Sequence, residues 1–172
     1  MRTSTFALIV GIVYLGAGVL GLIPAMLQPP PFDAPATTFT LLYGYLLGLF
    51  PVNVILTAVH LATGYWGMAA WSRAADAGVY ARSMAMLYGA LGIMGLIPGM
   101  HTMFGLVPLY GHDVWLHLGT AAVAAYFGWR STEVSMERRS AAERRSGAVA
   151  VARERRMSMG DRRRDWDSMH PA

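Results

Sequence analysis

Two sequence signatures recur along the chain, in the same order. Tyr14-Leu-Gly-Ala-Gly18-Val-Leu-Gly21-Leu22-Ile23-Pro24 returns as Tyr88-Gly-Ala-Leu-Gly92-Ile-Met-Gly95-Leu96-Ile97-Pro98, a shift of 74 (88 − 14). Gly48-Leu49-Phe-Pro51 followed by His60-Leu61 returns as Gly105-Leu106-Val-Pro108 followed by His117-Leu118, a shift of 57 (117 − 60). Because the order is kept, one unit has been duplicated. A chain built this way must fold as two similar halves, and the halves must be able to pack on each other.

The repeated segments are apolar. Of 172 residues, 55% are hydrophobic and 14% charged, with a mean hydropathy of +0.39. A bilayer crossing needs about 20 mainly apolar residues. Four segments meet that length: Phe6–Met26, Val52–Trp71, Val79–Pro98 and His112–Trp129. The expected fold class is therefore all-α and integral to the membrane. It has four transmembrane helices arranged as two parallel-repeat hairpins, about 6–71 and about 79–129, within a membrane domain of 1–129. Residues 130–172 form a separate charged tail.

Charge sets the expected sidedness. All 14 basic residues are Arg. Arg2 precedes the first span, Arg73 and Arg82 flank the connection between the second and third, and the rest lie from Arg130 onward. The two other connections, Ala25–Pro51 and Gly99–Gly111, hold none. The positive-inside rule then places both termini in the cytoplasm, in a bacterial inner membrane. The net charge of +4 is thus spent on topology and does not argue for nucleic acid. Arg2 and the apolar run after it have the look of a secretory signal, but the mid-chain copy at Tyr88–Pro98 argues for a retained helix. With no Cys, disulfides and thiolate chemistry are excluded.

An even number of crossings per unit brings both copies in from the same side. Pro24 and Pro98 are expected to close the first helix of each pair, and Pro51 and Pro108 to open the second. The outer connection is longer in the first copy. It starts with the stiff Gln28-Pro-Pro-Pro31 and continues as apolar Thr37–Phe50, too short to cross, which reads as an outer interfacial or re-entrant helix. Trp71 and Trp129, each followed closely by Arg, suit the inner membrane boundary. In the tail, short Glu and Arg clusters such as Glu137-Arg-Arg139 and Glu154-Arg-Arg156 read as a partly helical or disordered solvated segment, or as a contact for anionic lipid.

Glycine and polar residues mark the interior. Gly18 and Gly21 match Gly92 and Gly95, as expected of tight helix packing, and Gly44/Gly48 and Gly95/Gly99 share the four-residue spacing of close approach. Such faces also suit a homo-oligomer or a larger membrane complex. On the second span Asn53, Thr57 and His60 share a helix face; on the fourth, Asp113, His117 and Thr120 do. These six residues are the candidate intramembrane polar site, because lipid penalises the reverse orientation. His60 and His117 each stand nine residues after their proline, about 13 Å below the outer boundary. Three readings stay open for the pair. Each imidazole donates a hydrogen bond that holds helices together; the two ligate a haem or metal; or they serve a proton or small-molecule pathway. Asp113, one turn before His117, is placed to orient that imidazole. His101 and His112 lie nearby on the outer side, but the spacing matches no recognised metal site, so no metal or cofactor is assigned. No nucleophile elbow is present.

The blocks Leu47-Gly-Leu-Phe-Pro-Val52-Asn53, His60-Leu61-Ala-Thr-Gly64, Tyr88…Gly95-Leu-Ile-Pro98 and Asp113-Val-Trp-Leu-His117-Leu118 resemble a family of small bacterial membrane proteins known as domain of unknown function 4383. The likeness covers about residues 6–129. It implies four helices and supplies no activity and no catalytic residue. The resulting expectation is a non-enzymatic integral inner-membrane protein, structural or accessory in role. The alternative is a membrane redox (haem-binding) or proton or small-molecule transport protein using His60 and His117.

Overall fold

Helices follow the apolar segments. In the computed structural model the backbone of residues 1–169 is described, with side chains for 1–73, 76–130, 139–147 and 149. The chain is mostly helical: α1 is Thr3–Gly21, α2 Val54–Trp71, α3 Ala74–Leu96 and α4 His112–Met169. Among the described residues, two helical stretches are long and apolar enough to cross a membrane, Thr3–Gly21 and Asp76–Leu96. By contact the chain divides into two units, Met1–Ser131 and Thr132–Ala172. The tail backbone is helical to Met169; most of its Arg and Glu side chains, and with them the expected lipid contact, lie outside the described residues.

The outer connection departs from expectation. Thr37–Phe50 is not an interfacial helix. Strands β1 (Leu27–Gln28), β2 (Gly44–Leu46) and β3 (Phe50–Val52) form an antiparallel sheet in that order, so the first unit is not all helix. Leu27 pairs with Leu46, and Leu46 with Phe50. The physical reason is backbone conformation. Leu42, Leu47 and Gly48 have φ of 54°, 54° and 73°, values that no right-handed helix contains. The same turn recurs in the second copy, where Phe104 and Gly105 have φ of 58° and 85°. Gly44 and Gly48 therefore do not form a helix-packing pair: Gly44 lies in β2, where a Cβ would come 2.8 Å from the Gln28 carbonyl oxygen. Gly99, with φ of 85°, likewise lies beyond the helix that holds Gly95.

Proline roles shift in the same way. Pro51 lies inside β3, and α2 starts at Val54 behind Asn53, its N-cap. Pro108 precedes α4 by several residues. The first helices end at Gly21 and Leu96, just short of Pro24 and Pro98; Pro24 opens a 3₁₀ turn, Pro24–Met26.

Inside the first unit, small residues let backbones meet. A Cβ on Gly18 would lie 2.9 Å from the Leu61 nitrogen, and one on Gly92 3.2 Å from the Leu118 nitrogen. Leu61 and Leu118 are themselves related by the 57-residue shift. Gly21 abuts Thr57, and Gly95 abuts Val114 and the Leu109 carbonyl. At the other end, Phe6 stacks on Phe127 at 5.0 Å, and the Thr3 hydroxyl donates to the Phe127 carbonyl. The core holds apolar residues such as Phe6, Leu56, Met84 and Leu109 together with six polar ones. Asn53, Thr57, His60, Thr63, Asp113 and His117 are buried, while Ile12, Val13, Met86, Ile93, Trp115 and Val123 are exposed.

Candidate functional site

The interior centres on four rings in contact. His60 on α2 packs against Tyr14 on α1, with centroids 5.2 Å apart at 58°. His117 on α4 packs against Tyr88 on α3, at 5.0 Å and 59°. Tyr14 and Tyr88 meet each other at 4.6 Å. Each tyrosine thus holds the histidine of its own repeat in the same geometry. The duplication seen in the sequence is here a duplicated contact.

The tyrosine hydroxyls reach across to the other repeat. The Tyr14 hydroxyl and Thr120 Oγ1 are 2.8 Å apart, and the Tyr88 hydroxyl and Thr63 Oγ1 are 3.1 Å apart. Thr63 and Thr120 are related by the shift of 57 and stand three residues after their histidines. Thr63 Oγ1 also donates to the Val59 carbonyl at 2.8 Å, so it is held from its own helix. The sequence reading took Tyr14 and Tyr88 only as landmarks and left Thr63 out. The register of the repeat was the signal for it: Thr120 minus 57 is Thr63.

Asn53 plays a structural part. Its Oδ1 accepts from the Leu56 N–H at 3.1 Å, capping α2. Its Nδ2 donates to the carbonyls of Phe39, at 3.2 Å, and Leu106, at 2.7 Å. One side chain therefore ties both outer connections to the start of α2. Its repeat counterpart is Tyr110, whose hydroxyl lies 2.5 Å from that of Tyr43. Burial, together with its hydrogen bonds to Tyr43 and Tyr45, holds the Tyr110 phenol well above its ordinary range, so it stays neutral. The remaining outer histidines stand apart from the ring row. His101 meets Tyr110 edge-on and His112 is exposed.

His60, Asp113, His117 and Thr57 differ from all of these. Both nitrogens of each imidazole, both Asp113 oxygens and Thr57 Oγ1 are buried with no hydrogen-bond partner among the described residues. The one polar approach is His117 Nε2 to Asp113 Oδ2, at 3.5 Å. The two copies are unequal here. Asp113 occupies the place of Leu56, and Thr57 that of Val114. Buried polar groups are almost always satisfied, so each of these calls for a partner or a role. Among the described residues, no three or more His, Asp or Glu are grouped to hold a metal ion.

A family model described as domain of unknown function (DUF4383) matches residues 4–130. No curated protein and no solved structure matches the chain.

Proposed function

The chain belongs to the DUF4383 family, and on that premise we propose that it is an integral inner-membrane protein that crosses four times, with both termini cytoplasmic and no enzymatic activity. Its role in this reading is structural or accessory, with the bilayer as its main partner and a homo-oligomer or larger membrane complex as its setting. The many large apolar side chains left exposed, beside polar side chains that are buried, carry the reading. Large apolar residues on all four helices face outward, including Ile12, Met68, Ile93 and Val123, while the polar residues of α2 and α4 face inward. Water favours the opposite arrangement and lipid favours this one. Trp71 and Trp129 are exposed beside Arg73 and Arg130, as residues at a membrane boundary are. Reporter fusions test the topology. A fusion after Arg130 should be active only in its cytoplasmic form, and one within Gln28–Pro35 only in its external form. The reverse pattern overturns the assignment.

A second reading is favoured by the orphaned imidazoles. Tyr14, Tyr88, Thr63 and Thr120 have hydrogen-bond partners across the interior. Among the described residues, the imidazole nitrogens of His60 and His117 have none, and His117 has only the 3.5 Å approach to Asp113. This supports the alternative role in proton or small-molecule movement. In the haem version of that role, the imidazoles would ligate iron through the nitrogens left without partners. A visible-range spectrum of the purified protein separates the versions, because a bis-imidazole haem is coloured.

A further inference from the structure

Asp113 is the charge that the fold leaves unanswered. Its residue exposure is 0%, and neither carboxylate oxygen has a hydrogen-bond partner among the described residues. It sits in the first turn of α4, where the helix N-terminus favours a carboxylate. Among the described residues, the side-chain cation within ion-pair distance is His117, whose Nε2, also 0% exposed, lies 3.5 Å away. A bare carboxylate inside a membrane is expensive, and a lone buried charge is removed by taking up a proton or by pairing. Three arginines of the first unit are engaged elsewhere: Arg73 Nη1 lies 3.6 Å from Asp76 Oδ2, Arg82 Nη1 donates to the Gly128 carbonyl, and Arg130 contacts Tyr126. The group within ion-pair distance of Asp113 is His117.

We propose that Asp113 and His117 together form a binding site for one exchangeable proton. The proton sits between Asp113 Oδ2 and His117 Nε2. In one arrangement the carboxylate faces an imidazolium; in the other a carboxylic acid faces a neutral imidazole. Passing from one to the other moves one proton from nitrogen to oxygen and leaves the net charge of the pair at zero. From the other elements, Tyr88 on α3 packs on His117, Tyr14 on α1 packs on Tyr88, and His60 on α2 packs on Tyr14. Gly111 and His112, exposed immediately before Asp113, put the pair next to the accessible start of α4. The broken symmetry gives the site its direction. The first repeat has Leu56 where the second has Asp113, so only one of the two histidines has a carboxylate beside it.

The inference rests on the membrane reading and on the second role proposed above. It is tested on the full-length protein, labelled with ¹⁵N-histidine and held in phosphatidylcholine bilayers. Solid-state NMR then reads the protonation of each His117 nitrogen. The expected result is a His117 that has an N–H at Nδ1 and, at Nε2, a further proton held by or shared with Asp113. In Asp113→Asn that nitrogen should become the bare nitrogen of a neutral imidazole. A His117 Nε2 that is already bare in the native protein, or one with the same protonation in Asp113→Asn, overturns the proposal. His117→Gln is a second, independent variant. There only Asp113 remains to hold the proton, so a carboxylic-acid C=O infrared band should be present at about pH 7, where exposed carboxyls are ionised. Absence of that band also overturns the proposal. Flotation of the same vesicles reports the membrane reading separately. A protein that floats but shows no such proton fails this inference alone, and one that does not float overturns both.

Discussion

At the residue scale, the interior polar groups sort by whether they have found a partner. Tyr14 and Tyr88 bind the threonine of the opposite repeat, the first joining α1 to α4 and the second α3 to α2. Hydrogen bonds between membrane helices are worth about 0.6 kcal/mol on average, with a ceiling of about 1.7 kcal/mol. Tyr14→Phe and Tyr88→Phe are therefore expected to lower stability by about 0.5–1.5 kcal/mol each. Double-mutant cycles with Thr120→Val and Thr63→Val should return most of that loss as coupling, read by thermal melting in detergent. Asn53→Ala should cost more, about 2 kcal/mol, because it removes the α2 cap and both links to the outer connections at once. A melting temperature unchanged in Asn53→Ala would contradict the clamp role.

At the element scale, close helix approach depends on a few glycines. Gly18 and Gly92 sit against Leu61 and Leu118 with no room for a Cβ, whereas a Cβ on Gly16 or Gly119 would meet nothing within 4 Å. Leucine at position 18 or 92 should cost about 1–3 kcal/mol through overpacking, while leucine at 16 or 119 should be near neutral. Unfolding of the four variants in detergent checks this directly; equal melting of all four would remove the interface assignment. The outer sheet belongs to the same scale. Apolar Thr37–Phe50 was read as helix because its composition suits one, but Leu42, Leu47 and Gly48 turn the chain left-handed and Pro51 cannot donate to a helix. The signal was present as Gly48 and Gly105 at equivalent positions, each just before a Leu-x-Pro, in a place where only a turn uses glycine's freedom.

At the scale of the whole molecule, the exposed apolar positions offer a test of the proposed bilayer setting. Ile12 and Ile93, mid-helix on α1 and α3, are 54% and 56% exposed. Arg at either position should be harmless on a water-facing surface. In a bilayer it should cost about 2.5–3.5 kcal/mol and lower the amount of protein inserted. Membrane-fraction yield of Ile12→Arg and Ile93→Arg, beside the conservative Ile12→Leu and Ile93→Leu, gives the answer; equal yields would count against the four-crossing reading.

The sequence by itself determined the duplication, the approximate helices and the uneven placement of Arg, because repeats, apolar periodicity and charge are properties of neighbours along the chain. It also placed His60, His117 and Asp113 on inward stripes, since helix periodicity fixes a face. The tertiary structure alone decided which of those residues are satisfied. Tyr14 meets Thr120 across 106 positions, and Tyr88 meets Thr63 across 25. Such pairs depend on how whole helices pack, which no local pattern encodes. The same packing gave Asn53 its three partners and, among the described residues, left Asp113 with the approach of His117. A stripe of polar residues is a local pattern; the absence of a partner for one of them is a property of the assembled interior.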